Sequence, residues 1–174
     1  MSYLPCELHC HTIHSDGDFT VSELQKAAVD DHLAIIALTD HNTFSGWDEL
    51  DDNIIPAIRG IEWTTYFGHM LVLGANDFVD WRDAQPDNID EKIKQVKAVG
   101  GIVGIAHPYQ LGSPLCTGGR WEFNVRDWRN VDYIEVWHQN LYSAKRENER
   151  ALELWTSLLD KGYKIAATYG RDWH

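Results

Sequence analysis

Short apolar runs alternate with longer amphipathic segments along most of the chain. Seven runs rich in Ile, Val and Leu are predicted to be strands: residues 6–11, 34–39, 54–62, 69–73, 102–107, 133–137 and 164–168. Strands that alternate with helical segments are typical of parallel sheets joined by crossover helices. The pattern therefore predicts an α/β fold built on a mainly parallel sheet.

The segments between these runs carry helix signals. Thr20 and Asn88 are each followed three residues later by a glutamate, which is the pattern of a capping box. Residues 144–161 show the strongest helical periodicity, and Gly162 is placed to end that helix. Residues 108–130 have no clear period, and a loop of this length in a compact domain is usually functional.

Composition narrows the possible classes of protein. The chain has 174 residues, 44% of them hydrophobic, which is enough for a single domain over residues 1–174. Fifteen Lys and Arg against 27 Asp and Glu give a net charge of −12, which argues against a nucleic-acid surface. The apolar runs are too short to span a membrane, and three scattered Cys do not form a disulfide framework. We expect a cytoplasmic protein.

Histidine and acidic residues recur at the ends of the apolar runs. His9 and His11 alternate on one predicted strand, so their imidazoles share a face, although this spacing alone is weak evidence for a metal site. Histidine or acidic residues also lie at or just after the ends of four other runs: Asp40 with His41, Glu62, His107, and Asp172 with His174. Barrel-like α/β folds place their chemistry at the carboxyl ends of parallel strands. The recurrence therefore predicts a metal centre assembled by the fold.

The strings that carry these residues resemble the PHP domain family, named for polymerases and histidinol phosphatase. They are ELHCHTIHSDG at 7–17, ALTDHN at 37–42, GIEW at 60–63, GIAHP at 104–108 and GRDWH at 170–174. The resemblance implies a distorted, TIM-like barrel of seven βα units that holds two or three divalent ions, commonly zinc, manganese or iron. The string GHMLVLG at 68–74 is also similar to a subgroup that includes carbamate and ester hydrolases.

The resemblance also implies a set of metal ligands. By motif, one ion would be held by His9 and His11, a second by Asp16 and His41 with Glu62 bridging, and a third by His107, with Asp172 and His174 completing the set. His69 matches a histidine that we expect to be a further ligand. Mixed imidazole and carboxylate ligands suit zinc, manganese and iron.

Four further residues are candidates for catalysis or substrate binding. Asp40 and Arg171 are candidate catalytic residues, although Asp40 could instead orient an imidazole. Arg120 and His138 are candidate substrate contacts. Each arginine could equally be an ordinary salt-bridge partner, and His138 could simply form hydrogen bonds at the rim. Glu135, in the same strand as His138, is either a pocket residue or an inward polar group paired elsewhere.

The leading hypothesis for function is hydrolysis of a small phosphorylated substrate by a metal-activated hydroxide. The first alternative keeps the metals but changes the bond to a carbamate or carboxylic ester. The second alternative is a non-catalytic metal-binding accessory domain, since PHP-like domains also occur as parts of polymerases.

The chain stops at His174, a residue in the proposed ligand set. Barrels of this type normally have about 200 residues or more, so we expect the sequence to lack its C-terminal units. The sheet edge beside residues 164–168 would then be exposed, and an exposed edge favours pairing with another chain. A homodimer is therefore expected.

Overall fold

Seven strands form one sheet whose spatial order follows the order of the chain. The computed structural model describes residues 3–112, 118–138 and 144–174. The strands are β1 (Cys6–Cys10), β2 (Ile35–Leu38), β3 (Ala57–Thr65), β4 (Gly68–Leu73), β5 (Ile102–Ile105), β6 (Tyr133–His138) and β7 (Ala166–Gly170). The helices are α1 (Val21–Asp30), α2 (Ile89–Ala98) and α3 (Lys145–Asp160).

The two ends of the sheet meet, which gives a nearly closed barrel. The backbone N–H of His11 donates to the carbonyl of Trp173 at 2.8 Å, and the N–H of Trp173 donates to the carbonyl of His9 at 3.1 Å. The predicted α/β, TIM-like barrel is therefore confirmed. In the described ranges, α-helices follow only β1, β4 and β6, so the repeating βα pattern is incomplete.

The middle of the sheet departs from the predicted parallel arrangement. The pairs β1–β2, β2–β3, β5–β6 and β6–β7 are parallel, but β4 runs antiparallel to both β3 and β5. Strands β3 and β4 form a hairpin across Tyr66 and Phe67, where the Thr65 hydroxyl accepts from Phe67 N–H and donates to the carbonyl of Gly68. Gly68 has a φ of 124°, a conformation that favours glycine.

The apolar packing lies between the sheet and its covering segments. Helix α1 buries Leu24 against Ile36 and Cys10, and α2 buries Ile93 against Val103 in a second cluster. His9, which precedes Cys10 in β1, is also fully buried, but it lies with the polar side chains of His11, Glu62 and Asp172. Because neighbouring residues of a strand point to opposite faces, β1 directs Cys10 toward α1 and His9 into the barrel. The inner face is not wholly polar, since Leu71, the cross-strand partner of Glu62, belongs to a third apolar cluster.

The helix starts agree with the sequence prediction, but the predicted side-chain cap of α2 is not formed. The capping box of α1 is formed, with Glu23 N–H donating to the Thr20 hydroxyl and Thr20 N–H donating to the Glu23 carboxylate. Asn88 makes no capping bond to α2. Its side chain instead accepts from Gln85 N–H and donates to the carbonyl of Asp83, which fixes the turn before the helix.

Strand β7 is an end strand of the sheet, and Tyr169 on it is half exposed. Homodimer formation through this edge stays a prediction. Within the described ranges, no helix combines the length and the apolar character that are needed to span a bilayer.

Replacing Thr20 with Ala should lower the free energy of unfolding by about 1 kcal/mol, because the first turn of α1 loses its side-chain acceptor. Urea unfolding of Thr20→Ala and of the control Ser22→Ala measures this. Ser22 is exposed in the same turn, so its substitution should stay within about 0.5 kcal/mol of wild type. Equal losses in the two variants would contradict the capping role.

Candidate metal centre

An open pocket of about 710 Å³ lies at the rim of the barrel. Its lining combines imidazoles, carboxylates and neutral polar groups: Ser15, Asp16, His41, Asn42, Thr64, His69, His107, Gln110, Leu111, Gly112, Gly119, His138, Asp172 and His174. These residues come from β3, β4, β6 and the segments that follow the strands. The barrel therefore brings together side chains from the whole length of the chain.

Glu62 is the centre of this arrangement. It lies within β3, three residues before the strand ends, and its side chain is fully buried. Five imidazole nitrogens surround its two oxygens. The distances are 3.3 Å to His9 Nε2, 3.4 Å to His11 Nε2 and 2.8 Å to His41 Nδ1 from Oε2, and 2.9 Å to His69 Nδ1 and 3.1 Å to His107 Nε2 from Oε1.

Asp172 faces the same point from the segment after β7. Its Oδ1 lies 3.1 Å from His9 Nε2 and 3.0 Å from His11 Nε2. Four buried atoms converge here without forming a hydrogen bond to any described residue: His9 Nε2, His11 Nε2, Glu62 Oε2 and Asp172 Oδ1. Buried polar atoms are nearly always paired, so atoms that converge without pairing indicate a missing ligand. Two imidazole nitrogens and two carboxylate oxygens fit a divalent metal ion.

A second group lies closer to solvent. Asp16 Oδ1 is 3.4 Å from His41 Nε2, 3.3 Å from His174 Nε2 and 3.9 Å from His11 Nδ1. The rings of His41 and His174 stack on His11 with centroid distances of 4.3 and 4.4 Å. The structure thus places Asp16 and His41 together, as the resemblance implies, and adds His174 to them.

The ligand atoms form four overlapping groups, and within each group they all lie within 4.8 Å of one another. The groups are His11, Asp16, His41 and His174; His9, His11, Glu62 and Asp172; His9, His107 and Glu135; and Glu62, His69 and His107. Residues shared between groups can bridge neighbouring ions. All nine proposed metal ligands are found in these groups.

Burial and charge act in opposite directions on these residues. Burial alone would raise the pKa of Glu62, but the charge of His9, a hydrogen bond from His107 and the nearby imidazole of His41 lower it well below its usual value. Burial would likewise lower the pKa of His9, yet the carboxylates of Glu135, Asp172 and Glu62 raise it well above the usual value. The pKa values of His41 and His107 are also raised against the effect of burial, mainly by the Glu62 carboxylate.

Asp40 is buried and is not among the residues that line the pocket. Its Oδ1 accepts from Thr12 N–H and from the Ser15 hydroxyl, each at 2.7 Å, and its Oδ2 accepts from the Thr12 hydroxyl at 2.8 Å. The Ser15 oxygen also lies 3.5 Å from His11 Nδ1. These bonds give Asp40 a supporting role, and its candidate catalytic role stays a prediction. It holds the loop that carries Asp16 and, through Ser15, orients the imidazole of His11.

Arg171 pairs with residues outside the ligand groups, and its catalytic role stays a prediction. Its guanidinium donates to Asp31 Oδ2 at 2.6 Å, lies 3.7 Å from Glu7 and stacks over Trp173 at 4.4 Å. Arg171 does not line the pocket, so the structure gives it no catalytic contact. Arg120 is exposed and follows Gly119, which does line the pocket.

His138 and Glu135 lie deeper than the sequence analysis indicated. His138 Nε2 is 3.7 Å from Asp172 Oδ2, and its buried Nδ1 has no hydrogen-bond partner among the described residues. Burial and the neighbouring His107 lower the pKa of His138 to about 4, so this imidazole is neutral near pH 7. A neutral, buried imidazole beside Asp172 is a candidate metal ligand. Glu135, which the sequence left open between two roles, accepts from His9 Nδ1 at 2.9 Å.

Comparison with protein families and with curated proteins adds independent evidence. A model of the PHP domain matches residues 7–103, more than half of the chain. Two uncharacterised proteins of Methanocaldococcus jannaschii are similar. One is 30% identical over 110 residues, which are 63% of this chain and 48% of the relative, so the chain spans about half of that relative's length. The other is 29% identical over 153 residues, which are 79% of this chain and 85% of the relative.

Solved structures share the fold. A protein from Bifidobacterium adolescentis, predicted to be a metal-dependent phosphoesterase, matches with a TM-score of 0.66 and 20% identity over 99% of this chain and 88% of its own. A two-domain protein from Bacteroides vulgatus that contains a predicted PHP-like metal-dependent phosphoesterase has a TM-score of 0.71, with 22% identity over 98% and 52%. An amidohydrolase from Chromobacterium violaceum, with bound sulfate and no metal, has a TM-score of 0.62, with 18% identity over 97% and 87%.

Replacing Glu62 with Gln should remove at least one ion per chain, because the amide cannot supply two anionic oxygens to neighbouring sites. Elemental mass spectrometry after saturation with manganese or zinc measures the metal content. Glu49→Gln is the control, since Glu49 pairs with His14 outside the ligand groups. Equal metal content in wild type and Glu62→Gln would contradict a bridging role for Glu62.

Metal uptake should release protons near pH 7. In the metal-free chain the pKa values of His9, His41 and His107 are raised, so these imidazoles hold more protons at neutral pH than ordinary histidines. Metal binding requires neutral imidazoles, so metal affinity should rise as the pH increases through the neutral range. Calorimetry in buffers of different ionisation enthalpy measures the released protons. A buffer-independent heat would contradict this expectation.

Proposed function

The chain belongs to the PHP domain family, and we propose that it is a metal-dependent hydrolase that acts on a small phosphate ester. The relatives that share its fold include two proteins predicted to be metal-dependent phosphoesterases. The likeness to those structures concerns the fold. The case for this reaction therefore depends on the residues of the centre.

The observation that carries the proposal is the sharing of ligands between neighbouring groups. His11 belongs to two groups. Glu62 also belongs to two: one with His9, His11 and Asp172, and one with His69 and His107. This donor set suits two or three zinc, manganese or iron ions. Divalent ions, when bound, supply hydroxide at neutral pH and stabilise the charge that develops on a phosphoryl group.

The charge of the pocket makes phosphate binding dependent on metal. Among the described residues that line it, Asp16 and Asp172 are acidic and none is Lys or Arg. Burial alone would raise the pKa of Asp172, but nearby histidines, with His9 first among them, hold it well below its usual value, so it stays ionised. Without ions, a phosphate group would meet these carboxylates with no lysine or arginine in the described lining. Bound ions would supply the positive charge, since they are the largest charges in such a site.

The remaining lining residues are suited to orient a substrate. Asn42 exchanges hydrogen bonds with the backbone of Thr64, so it fixes the wall of the pocket. Gln110, three residues after His107, lines the pocket, and so does Gly119. Arg120, exposed and next to Gly119, would contact an anionic group of the substrate. A pocket of about 710 Å³ lies within the usual range for a small-molecule site.

A carbamate or carboxylic ester substrate is the second candidate. The amidohydrolase from Chromobacterium violaceum shares the fold, and the β4 string that contains His69 is similar to ester hydrolases of the family. The same hydroxide could attack a carbonyl carbon. A phosphate ester remains favoured because a site for several ions can neutralise a phosphate dianion, whereas a neutral ester needs less positive charge.

A substrate panel separates these possibilities. The manganese-loaded chain should hydrolyse an aryl phosphate or a diaryl phosphate faster than the matching aryl carboxylate ester. Glu62→Gln should lose about 100-fold or more of this activity, as expected when a group that holds the metal is altered. Chelation should remove both turnover and the binding of inorganic phosphate, which calorimetry measures separately.

Three outcomes would count against the proposal. Faster turnover of the carboxylate ester would transfer the assignment to the second candidate. Metal uptake without hydrolysis of any phosphate ester in a broad panel would favour an accessory metal-binding domain. Phosphate binding that persists in the chelated protein would contradict the electrostatic argument.

A further inference from the structure

A buried carboxylate, Glu135, lies beneath the metal centre and is not needed as a ligand in the proposed function. It is 1% exposed and projects from β6 into the barrel. Its two oxygens accept two different hydrogen bonds, one from His9 Nδ1 at 2.9 Å through Oε1 and one from the backbone N–H of His107 at 3.0 Å through Oε2. One side chain thus holds residues from β1 and from the end of β5.

We propose that Glu135 is the positioning residue that sets His9 and His107 as metal ligands together, and that residue 170 is glycine because a side chain there would displace Glu135. The inference rests on the proposed function only in requiring a metal centre. It does not depend on which ester is hydrolysed.

The bond to His9 decides which imidazole nitrogen is free. With Nδ1–H donating to Glu135, the lone pair is on Nε2. That nitrogen faces Glu62 Oε2 at 3.3 Å and Asp172 Oδ1 at 3.1 Å, where the unpaired atoms converge. A carboxylate behind a metal-binding imidazole commonly fixes the tautomer and the ring orientation.

The bond to His107 acts on the backbone. His107 has a φ of 23°, which is unusual for a residue other than glycine, and it follows β5 by two residues. A hydrogen bond from its N–H to a buried anion holds this turn in place. The turn directs the imidazole so that Nε2 lies 3.1 Å from Glu62 Oε1. Loss of Glu135 should therefore disturb a second ligand whose ring it does not contact.

Gly170 leaves the space that Glu135 occupies. A Cβ on this residue would lie 2.1 Å from Glu135 Oε1 and 2.4 Å from its Cδ, far closer than atoms can approach. Gly170 does not have a positive φ, so its backbone conformation would accept another residue. The need for glycine at this position is therefore one of space, and the atoms that fill the space belong to Glu135.

Glu135→Gln is a sharp test because it keeps the size of the side chain. Both groups that face Glu135 are donors when His9 is bound to metal, and a carboxylate can accept at both oxygens. An amide can accept only at its single oxygen, so the variant must lose either the His9 bond or the His107 bond. Metal affinity should fall by about 10–100-fold, the range found when groups behind metal ligands are removed.

The experiment compares zinc and manganese binding by calorimetry in wild type, Glu135→Gln, Glu135→Ala, Gly170→Ala and the double variant Glu135→Ala with Gly170→Ala. Gly170→Ala alone should lose affinity as Glu135→Gln does. In the Glu135→Ala background it should add less than about threefold, because contacting residues couple in double-mutant cycles. The ¹⁵N imidazole spectrum of the zinc-loaded chain should show His9 protonated at Nδ1 in wild type and altered in Glu135→Gln.

Asp132→Asn is the matched control. Asp132 also accepts a backbone N–H from β5, that of Val103 at 2.7 Å, but it pairs with Lys97 and belongs to none of the ligand groups. This control should bind metal as wild type does. A loss equal to that of Glu135→Gln would show a general effect of disturbing β5 and would overturn the proposal.

The remaining outcomes are also decisive. Undiminished affinity in Glu135→Gln, or an undiminished effect of Gly170→Ala in the Glu135→Ala background, would overturn the role of Glu135 while leaving the proposed function intact. A wild-type chain that binds neither zinc nor manganese would overturn both.

Discussion

The structure depends on the burial of one carboxylate among five imidazoles. Glu62 has no exposed surface, and an isolated buried charge is too costly to keep without compensation. Glu62 contributes to raising the pKa values of His9, His41 and His107, so protons on these imidazoles offset its charge more than protons on ordinary histidines would. Divalent ions would replace these protons. The barrel can therefore hold these charges only because they neutralise one another. The two larger apolar clusters pack with α1 and α2, and a smaller one, which includes Leu71 and Leu73, lies beside the polar residues.

The fold could be predicted as far as it depends on local patterns. Each of the seven apolar runs overlaps a strand, and the three helices begin within a residue of their predicted starts. The antiparallel direction of β4 could not be predicted, because the hairpin turn at Tyr66 and Phe67 lacks the asparagine and glycine that usually mark such turns. The turn is fixed instead by the hydroxyl of Thr65 and by Gly68. As a result β3 continues past Glu62, which lies within the strand and not at its end.

Ligand types were predictable, but the directions of the supporting side chains were not. The alternation of His9 and His11 on one strand follows from strand geometry alone. For Arg171 and Asp172, adjacent residues after a strand, the sequence cannot tell which one enters the pocket. In the structure Asp172 has a φ of 50°, and the chain turns there so that its carboxylate enters the site while Arg171 reaches outward to Asp31. The partners of Asp40 and Glu135 likewise come from distant parts of the chain, with Glu135 contacting His9 126 residues away.

Closure of the barrel and assembly of the centre involve the same short segment. Trp173 pairs with the backbone of β1 on both sides of Cys10, and its neighbours Asp172 and His174 both belong to ligand groups. The strand that Trp173 pairs with carries His9, and His11 directly follows it. A metal ion shared by His9, His11 and Asp172 would therefore bind the two ends of the sheet to each other, in addition to the two backbone hydrogen bonds that join them. Because ligand binding stabilises the state that binds, occupancy of this centre would favour the closed barrel over any opening between β1 and the segment after β7.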